Sequence, residues 1–268
     1  MRVRIVDVGI ATSVQDHGRP GLAHLGVPRS GVVDPGLAGL VNRLVGNDGA
    51  SPLFETCGGL TIEAQHHVLV ATSAELAPRS LTPGQRITVP GGSAGRLWHY
   101  LAIRGGVAGT PLLGSLSTDT LSSIRPVDAV AGSVVEIGPE PASRLVTDAA
   151  PLAALGDVAR LVPGPRADWF DADWAAAFCR TPWTVTTSSR VGVRLSGISI
   201  TRVVGAELPS EGLIRGAVQM PPGGDAVMML ADHPTTGGYP VIAVVHSDDV
   251  AVVAQHPAGA RVGFTMYR

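Results

Sequence analysis

Short runs of apolar or alternating residues recur along almost the whole chain, and each one ends at glycine, proline, aspartate or asparagine. Their length is typical of β-strands, and the frequent breakers leave little room for long helices. The chain has 34 glycines and 21 prolines among 268 residues. The pattern predicts a mainly β protein whose strands are 3–8, 60–62, 67–71, 86–89, 97–103, 133–137, 160–162, 193–195, 226–230, 241–245 and 261–266.

Helical patterns are few and short. The clearest has Asp34 as the N-cap and Pro35 in the first turn, carries apolar residues at positions 37, 40, 41 and 44, and ends at Gly46. Two more helices are predicted over 167–178 and over 248–255, the second with Ser247 as its cap. We expect these few helices to close sheets or barrels.

The charge pattern argues against nucleic acid and membrane partners. Charged residues make up 16% of the chain, the net charge is −2, and acidic and basic residues are interspersed without a basic patch. The apolar start is interrupted by Asp7, and the two cysteines, Cys57 and Cys179, lack the spacing of a redox or metal motif. We therefore expect a reduced, cytoplasmic protein.

All basic residues other than histidine are arginine, because the sequence contains no lysine. This excludes a P-loop lysine, a lysine Schiff base to pyridoxal phosphate, and a biotinylated or lipoylated lysine on this chain. An anion bound by this chain must therefore be held by arginine or by main-chain amides.

Two apparent motifs have simpler interpretations. Residues 91–95 match the G-x-S-x-G pattern of a hydrolase nucleophile around Ser93, but that motif needs a following helix, and 97–101 alternate like a strand. A linker is the better interpretation. The adjacent His66 and His67 would point to opposite faces of a strand and could not chelate one metal ion together, so no metal site is predicted.

Three glycine-rich segments carry more polar side chains than a simple turn requires, namely residues 12–34, 208–223 and 231–240. Such segments can present several side chains and main-chain amides to one cavity. Capped turns with surface charges would show the same composition. A faint internal repeat relates residues 12–19 to 184–192 and suggests two related β units that meet near 90–96. We therefore expect domains over 1–95 and 96–268.

Seven motifs in these and neighbouring segments resemble one family. They are TxVQDxGRxG at 12–21, GVPxSG at 26–31 followed by Asp34, LVGN at 44–47, PGPxxDWF at 163–170, SRxGxRLxG at 189–197, LPSEG at 208–212 and ADHPTTGGYP at 231–240. In this order they are similar to the family of the 5-oxoprolinase C subunit, also described as KipA, allophanate hydrolase subunit 2 or a biotin-dependent carboxyltransferase domain. The sequence departs from that family at 114–118, where many relatives would carry arginine in place of Leu116.

The resemblance implies a tandem of cyclophilin-like β-barrel domains. It also implies a subunit of an ATP-dependent 5-oxoprolinase, which opens 5-oxo-L-proline to L-glutamate together with KipI-like B and LamB/YcsF-like A subunits. Two alternatives stay open. One is the carboxyltransferase part of a biotin-dependent urea carboxylase or allophanate hydrolase system, with biotin supplied by another chain because this one has no lysine. The other is a non-catalytic antagonist of a KipI-like kinase inhibitor.

The motifs and the chemistry of an ATP-driven amide opening together select the candidate site residues. Proton transfer is assigned to Asp16, Glu211, Asp232 and His233. Anion or substrate binding is assigned to Arg19, Arg190 and Arg194, with Thr235, Thr236, Gly237 and Gly238 as donors and with Gln15, Ser30, Gln219 and Tyr239 orienting the substrate. We expect Asp232→Ala or Thr235→Ala to lower turnover and to leave folding intact.

Overall fold

The computed structural model describes residues 1–145 and 149–267. Its contacts divide the chain into two compact units. The first unit consists of Met1–Pro20 and Ser30–Ala154, and the second of Gly21–Arg29 and Leu155–Arg268. No helix in these described ranges is long and apolar enough to cross a membrane.

The first unit is built from two antiparallel sheets. Its strands are β1 (Arg2–Asp7), β2 (Ser13–Gln15), β3 (Leu53–Thr56), β4 (Thr61–Ala64), β5 (Val68–Thr72), β6 (Pro78–Leu81), β7 (Arg86–Thr88), β8 (His99–Ile103) and β9 (Val134–Glu136). The sheet orders are β7-β4-β1-β9 and β2-β3-β8-β5-β6. Alternate residues of each strand point inward, so Val3 and Ile5 of β1 join Phe54 of β3 and Leu101 of β8 in one apolar core.

The helix α1 (Pro35–Leu44) confirms the strongest local prediction. The Asp34 side chain accepts a hydrogen bond from the main-chain N of Leu37 at 3.0 Å, and Pro35 stands in the first turn. Proline is tolerated there because its missing N–H would have no partner within the helix. The apolar face of the helix, including Leu37, Val41 and Leu44, is buried.

The second unit contains a closed barrel with the strand order β10-β17-β14-β15-β12-β11-β18. Parallel pairing of β10 with β18 closes it. A separate two-stranded sheet is formed by β13 and β16. The strands are β10 (Val158–Pro163), β11 (Trp183–Ser188), β12 (Gly192–Ser196), β13 (Glu211–Gly212), β14 (Ala217–Gln219), β15 (Ala226–Met229), β16 (Thr236–Gly237), β17 (Val241–Val245) and β18 (Arg261–Met266). The mainly β prediction is confirmed.

The division into units differs from the predicted ranges 1–95 and 96–268. The strand β8 pairs with both β3 and β5, and β9 pairs with β1. These pairings attach the segment after residue 95 to the first unit, which extends to Ala154. A glycine-rich stretch at 90–96 is therefore a connection between strands of one unit.

Two predicted helices differ in detail from the structure. The region 167–178 forms a short 3-10 turn, Ala167–Trp169, and then the helix α2 (Trp174–Arg180), because Phe170 is extended and ends the turn. The region 248–255 forms the turn Ser247–Asp249 followed by α3 (Val250–Ala254). Its cap is the His246 side chain, which accepts from the main-chain N of Asp248 at 3.4 Å, and Ser247 lies inside the turn.

The G-x-S-x-G segment leads through the 3-10 turn Ser93–Gly95 into β8. A strand therefore follows Ser93, as the linker interpretation predicts. The side chain of Ser93 lies outside the described part of the chain.

Candidate functional site

A buried ion pair attaches the loop between β15 and β17 to the turn between β11 and β12. Arg190 donates from Nε to Oδ2 of Asp232 and from Nη2 to Oδ1, both at 2.9 Å. The side chains are 4% and 0% exposed. The main-chain N of Asp232 also donates to the carbonyl O of Arg190 at 2.8 Å. Asp232 therefore already binds Arg190 in a bidentate manner, and an anion that approached Arg190 would meet this carboxylate.

The short strands β13 and β16 bring two of the polar segments together. They pair antiparallel with Glu211 opposite Gly237, and the main-chain N of Leu213 donates to the carbonyl O of Thr235 at 2.9 Å. Glu211 and the residues predicted as donors on the loop thus lie in one small assembly, although they are more than twenty positions apart in sequence. We call residues 231–240 the β15–β17 loop.

Gln219 supports this loop from β14. It is buried, and its Nε2 donates to the carbonyl O of Tyr239 at 3.0 Å. A Cβ atom at Gly237 would lie 2.7 Å from Nε2 of Gln219 and 2.7 Å from Cδ1 of Leu213, so a side chain at this position would collide with both. A larger residue here would therefore require the Gln219 and Leu213 side chains to shift.

His233 is the group of the loop best suited to accept a proton. It is buried, and its Nδ1 lies 2.7 Å from the carbonyl O of Pro234, which can only accept a hydrogen bond. We therefore assign the proton to Nδ1, which leaves Nε2 as the basic nitrogen. The pKa of His233 is lowered, first because burial disfavours the imidazolium and further by the charge of Arg215, while the bond to Pro234 opposes the shift. A neutral imidazole near pH 7 can act as a general base.

Glu211 is held as a carboxylate. Arg166 donates from Nε to Oε2 at 3.1 Å and from Nη2 to Oε1, and both side chains are partly exposed. This hydrogen bonding lowers the pKa of Glu211. A carboxylate with a lowered pKa can accept hydrogen bonds but is a poor proton donor near neutral pH.

Three other predicted residues lie at the edge of this assembly or outside it. Arg194 on β12 is about half exposed and comes within 3.9 Å of Asp225. Gly238 has open space around it, because a Cβ there would meet nothing closer than the carbonyl O of Leu208 at 3.9 Å. The Tyr239 side chain is about half exposed.

In the first unit, Asp16 is a loop anchor whose carboxylate accepts four hydrogen bonds. Its Oδ1 accepts from the main-chain N of Gly18 at 2.8 Å and from the hydroxyls of Ser115 and Ser117, both at 2.6 Å. Its Oδ2 accepts from the main-chain N of Leu116 at 2.8 Å. Four donors hold this carboxylate in one position, which suits an anchor of the loop. The Leu116 side chain, at the position where relatives would carry arginine, packs in the apolar core.

Gln15, Arg19 and Ser30 are all buried next to this anchor. Gln15 donates from Nε2 to the Ser13 hydroxyl at 2.9 Å and to the carbonyl O of Thr118 at 3.0 Å. Arg19 donates from Nη2 to the carbonyl O of Ser117 at 2.5 Å. Ser30 adopts a left-handed backbone with φ 55°, a rare conformation for a residue with a side chain. Arg19 is thus engaged by the main chain of its own unit.

Sequence reasoning missed a second buried network in the first unit. Glu55, on β3, accepts from the main-chain N of Val33 at 2.7 Å and from the Tyr100 hydroxyl at 2.9 Å. Tyr100 in turn accepts from the main-chain N of Asp34 at 2.8 Å. Burial and the nearby Glu55 carboxylate raise the pKa of Tyr100 well above its usual range, so it stays a donor. The only sequence signal was a charged residue inside the apolar run 53–56.

Metal and thiol chemistry find little support in the described ranges. No group of three or more His, Cys, Asp or Glu side chains in these ranges could hold a metal ion. Neither Cys57 nor Cys179 forms a disulfide. Burial raises the pKa of Cys179, which lowers its thiolate fraction and its reactivity.

With this fold and these two side-chain assemblies, the chain belongs to the carboxyltransferase domain family, subdomains A and B, whose model matches residues 25–266. Within it, the chain is 33% identical to the 5-oxoprolinase C subunit of Escherichia coli (strain K12), in an alignment covering 98% of this chain and 90% of that protein. It is 28% identical to the 5-oxoprolinase C subunit of Haemophilus influenzae, with the same coverage. Urea amidolyase of Lachancea kluyveri is 30% identical over 97% of this chain but only 16% of that protein.

Solved structures agree with this placement. The crystal structure of TTHA0988 superimposes with a TM-score of 0.85 at 32% identity, covering 98% of this chain and 55% of that one. The crystal structure of the urea amidolyase of Kluyveromyces lactis gives a TM-score of 0.88 at 25% identity, covering all of this chain and 19% of that one.

Proposed function

We propose that this chain is the C subunit of a 5-oxoprolinase, which opens 5-oxo-L-proline to L-glutamate using ATP. The observation that carries the proposal is the alignment with the Escherichia coli 5-oxoprolinase C subunit, which spans 98% of this chain and 90% of that protein. The urea amidolyase relatives are matched over only 16% of their length, so they share one part with this chain. The complete enzyme would include KipI-like B and LamB/YcsF-like A subunits.

The reaction needs activation of the lactam carbonyl and delivery of water to its carbon. In this proposal the Nε2 of His233 accepts a proton from that water, and the hydrogen bond to Pro234 at 2.7 Å fixes the imidazole. The main-chain amides of the β15–β17 loop donate to the substrate. Thr235 and Thr236 add hydroxyls, and Gln219 holds the loop through Tyr239.

The three arginines predicted to bind an anion fit an ATP phosphate site poorly. Arg190 is bound by Asp232 and Arg19 by the carbonyl O of Ser117, while Arg194 is exposed on β12. The chain also has no lysine. We therefore assign the nucleotide to the partner chains, and this chain supplies groups that act on the amide.

A second candidate is the carboxyltransferase part of a urea-directed system. It is favoured by the TM-score of 0.88 to the Kluyveromyces lactis urea amidolyase. In that case the biotinyl-lysine must come from another polypeptide, because this sequence has no lysine.

Reconstitution of the enzyme tests the proposal. We expect the three purified subunits, given ATP and 5-oxo-L-proline, to form glutamate and ADP together, and we expect omission of this chain to abolish both. Urea with bicarbonate, ATP and a biotin carboxylase is the comparison substrate set. The proposal is wrong if the complete set leaves 5-oxo-L-proline unchanged, or if glutamate forms equally fast without this chain.

A further inference from the structure

Three buried side-chain oxygens in the first unit have no hydrogen-bond partner among the described residues. They are Oε1 of Gln15, Oγ of Ser30 and Oδ2 of Asp119. The three residues are 0%, 3% and 0% exposed. Buried polar atoms are nearly always paired, because leaving one unpaired costs free energy. Three such oxygens in one region indicate that their partners come from outside the described residues.

The segments that carry these oxygens meet at Asp16. Its carbonyl O accepts from the main-chain N of Val32 at 3.0 Å, which attaches the segment containing Ser30. Its main-chain N donates to the Ser117 hydroxyl at 2.9 Å, which attaches the segment containing Asp119. The Gln15 amide is bonded directly to the carbonyl O of Thr118, the neighbour of Asp119.

The other polar atoms of Gln15 and Asp119 are already used, which fixes what each residue can still offer. The Nε2 of Gln15 donates to two acceptors, so only its carbonyl oxygen remains. The Oδ1 of Asp119 accepts from the main-chain N atoms of Leu121 at 2.9 Å and Ser122 at 3.3 Å, so Oδ2 remains. The cluster therefore offers two acceptors and, from Ser30, a hydroxyl that can donate or accept.

We propose that Gln15, Ser30 and Asp119 form a binding site for a small molecule that carries an amide, lactam or urea group. Such a group presents N–H donors to the two oxygen acceptors and a carbonyl to the Ser30 hydroxyl. The strained backbone of Ser30 is of the kind that concentrates at ligand sites. The amide class rests on the proposed function, but this site is defined by the first unit alone and is additional to the substrate contacts proposed for the β15–β17 loop.

Direct binding to the full-length chain tests the site without any turnover. Isothermal titration calorimetry and ligand-detected NMR with 5-oxo-L-proline and urea should show saturable binding. Asp119→Asn replaces an acceptor by a donor, and Ser30→Ala removes the hydroxyl. We expect each to weaken binding by about tenfold. Asp128→Asn and Ser80→Ala, on exposed residues of the same unit, are the matched controls and should bind like the wild type.

The outcomes separate this inference from the proposed function. Failure of the wild type to bind either probe, or unchanged binding in Ser30→Ala, overturns the site and means that the three oxygens are paired with buried water only. Binding of methylammonium in place of the amides overturns the ligand class. If the amides bind as expected while the reconstituted enzyme leaves 5-oxo-L-proline intact, the site stands and the proposed function fails. If the Asp119→Asn variant does not fold, binding to the Ser30→Ala variant still tests the site.

Discussion

At the scale of single residues, the structure separates side chains that can react from those that hold the loops. Asp232 belongs to the polar loop and was selected from the sequence for proton transfer. Its carboxylate is fully buried and bound by Arg190 through two hydrogen bonds. A carboxylate in this setting stabilises the loop and positions its neighbour His233.

The sequence alone predicts that Asp232→Ala leaves folding intact, whereas the buried Arg190–Asp232 pair predicts a loss of stability. Removal of Asp232 leaves the Arg190 guanidinium buried without its carboxylate, which should lower the free energy of unfolding by about 3–5 kcal/mol. Denaturant unfolding measures this loss. Asp225→Ala, which removes the partly exposed partner of Arg194, is the control and should cost less than about 1 kcal/mol. Equal stability of the two variants would contradict the role given to the pair.

Some buried polar residues could be predicted from the sequence, but their partners could not. The polar segments selected from the sequence contain buried side chains such as Asp16, Arg19 and Asp232, whereas Glu55 and Asp119 lie outside them. Their roles depend on partners that are remote along the chain, as with Asp16, whose hydroxyl donors are Ser115 and Ser117. No local pattern reveals such a pairing, and nothing in the sequence singled out Asp119.

Among the secondary-structure elements, the sequence predicted those helices and strands whose signals lie close together along the chain. The helix α1 was predicted with its cap because the signals lie within one turn of the chain. Strands with clear alternation were also found, whereas β2, β3, β6, β11, β13, β14 and β16 were missed. All of these except β11, which has six residues, are two to four residues long and exist because of the strands they pair with. The break in the helix predicted over 167–178, between Trp169 and α2, was also missed, because it too depends on pairing with a residue that is remote in sequence.

The close approach of β16 to β14 gives a prediction at this scale. Gly237→Ala should lower the free energy of unfolding by about 1–3 kcal/mol and reduce turnover, because the new methyl group collides with Gln219 and Leu213. Gly238→Ala is the neighbouring control, since its Cβ would meet nothing closer than 3.9 Å. Thermal unfolding and glutamate release measure the two effects. If both variants behave alike, the packing of the loop on Gln219 is not what holds it.

At the level of the whole molecule, the sequence predicts two β units, and the contacts of the structure divide the chain into two units at other positions. A boundary set by a glycine-rich stretch assumes that breakers separate domains. Here they separate strands, because β8 returns to pair with β3 and β5. Strand pairing over long sequence distances decides where a unit ends, and a single sequence does not reveal it.

Two buried histidines with a lowered pKa, one in each unit, give the molecule a pH dependence. Burial lowers the pKa of His99 and His233 from the ordinary value of 6.5. As the pH falls below that value, the unfolded chain takes up protons that the folded chain does not, so the free energy of unfolding falls. We expect the melting temperature to drop between about pH 7.5 and 5.5, and to drop less in His233→Asn. An equal drop in that variant would rule out His233 as a contributor.

In the proposed function, this chain supplies a reacting group, His233, to an assembled enzyme. The sharpest test of this role is the rate of glutamate release by a reconstituted enzyme that carries His233→Asn. Asparagine can keep the hydrogen bond to Pro234 but has no basic Nε2. His256→Asn is the matched control, because His256 is equally buried and its Nδ1 also lies 2.7 Å from a carbonyl O, that of Val252. We expect the rate of glutamate release to fall by about 100-fold or more in His233→Asn and to stay unchanged in His256→Asn. Wild-type rates in both variants would contradict it.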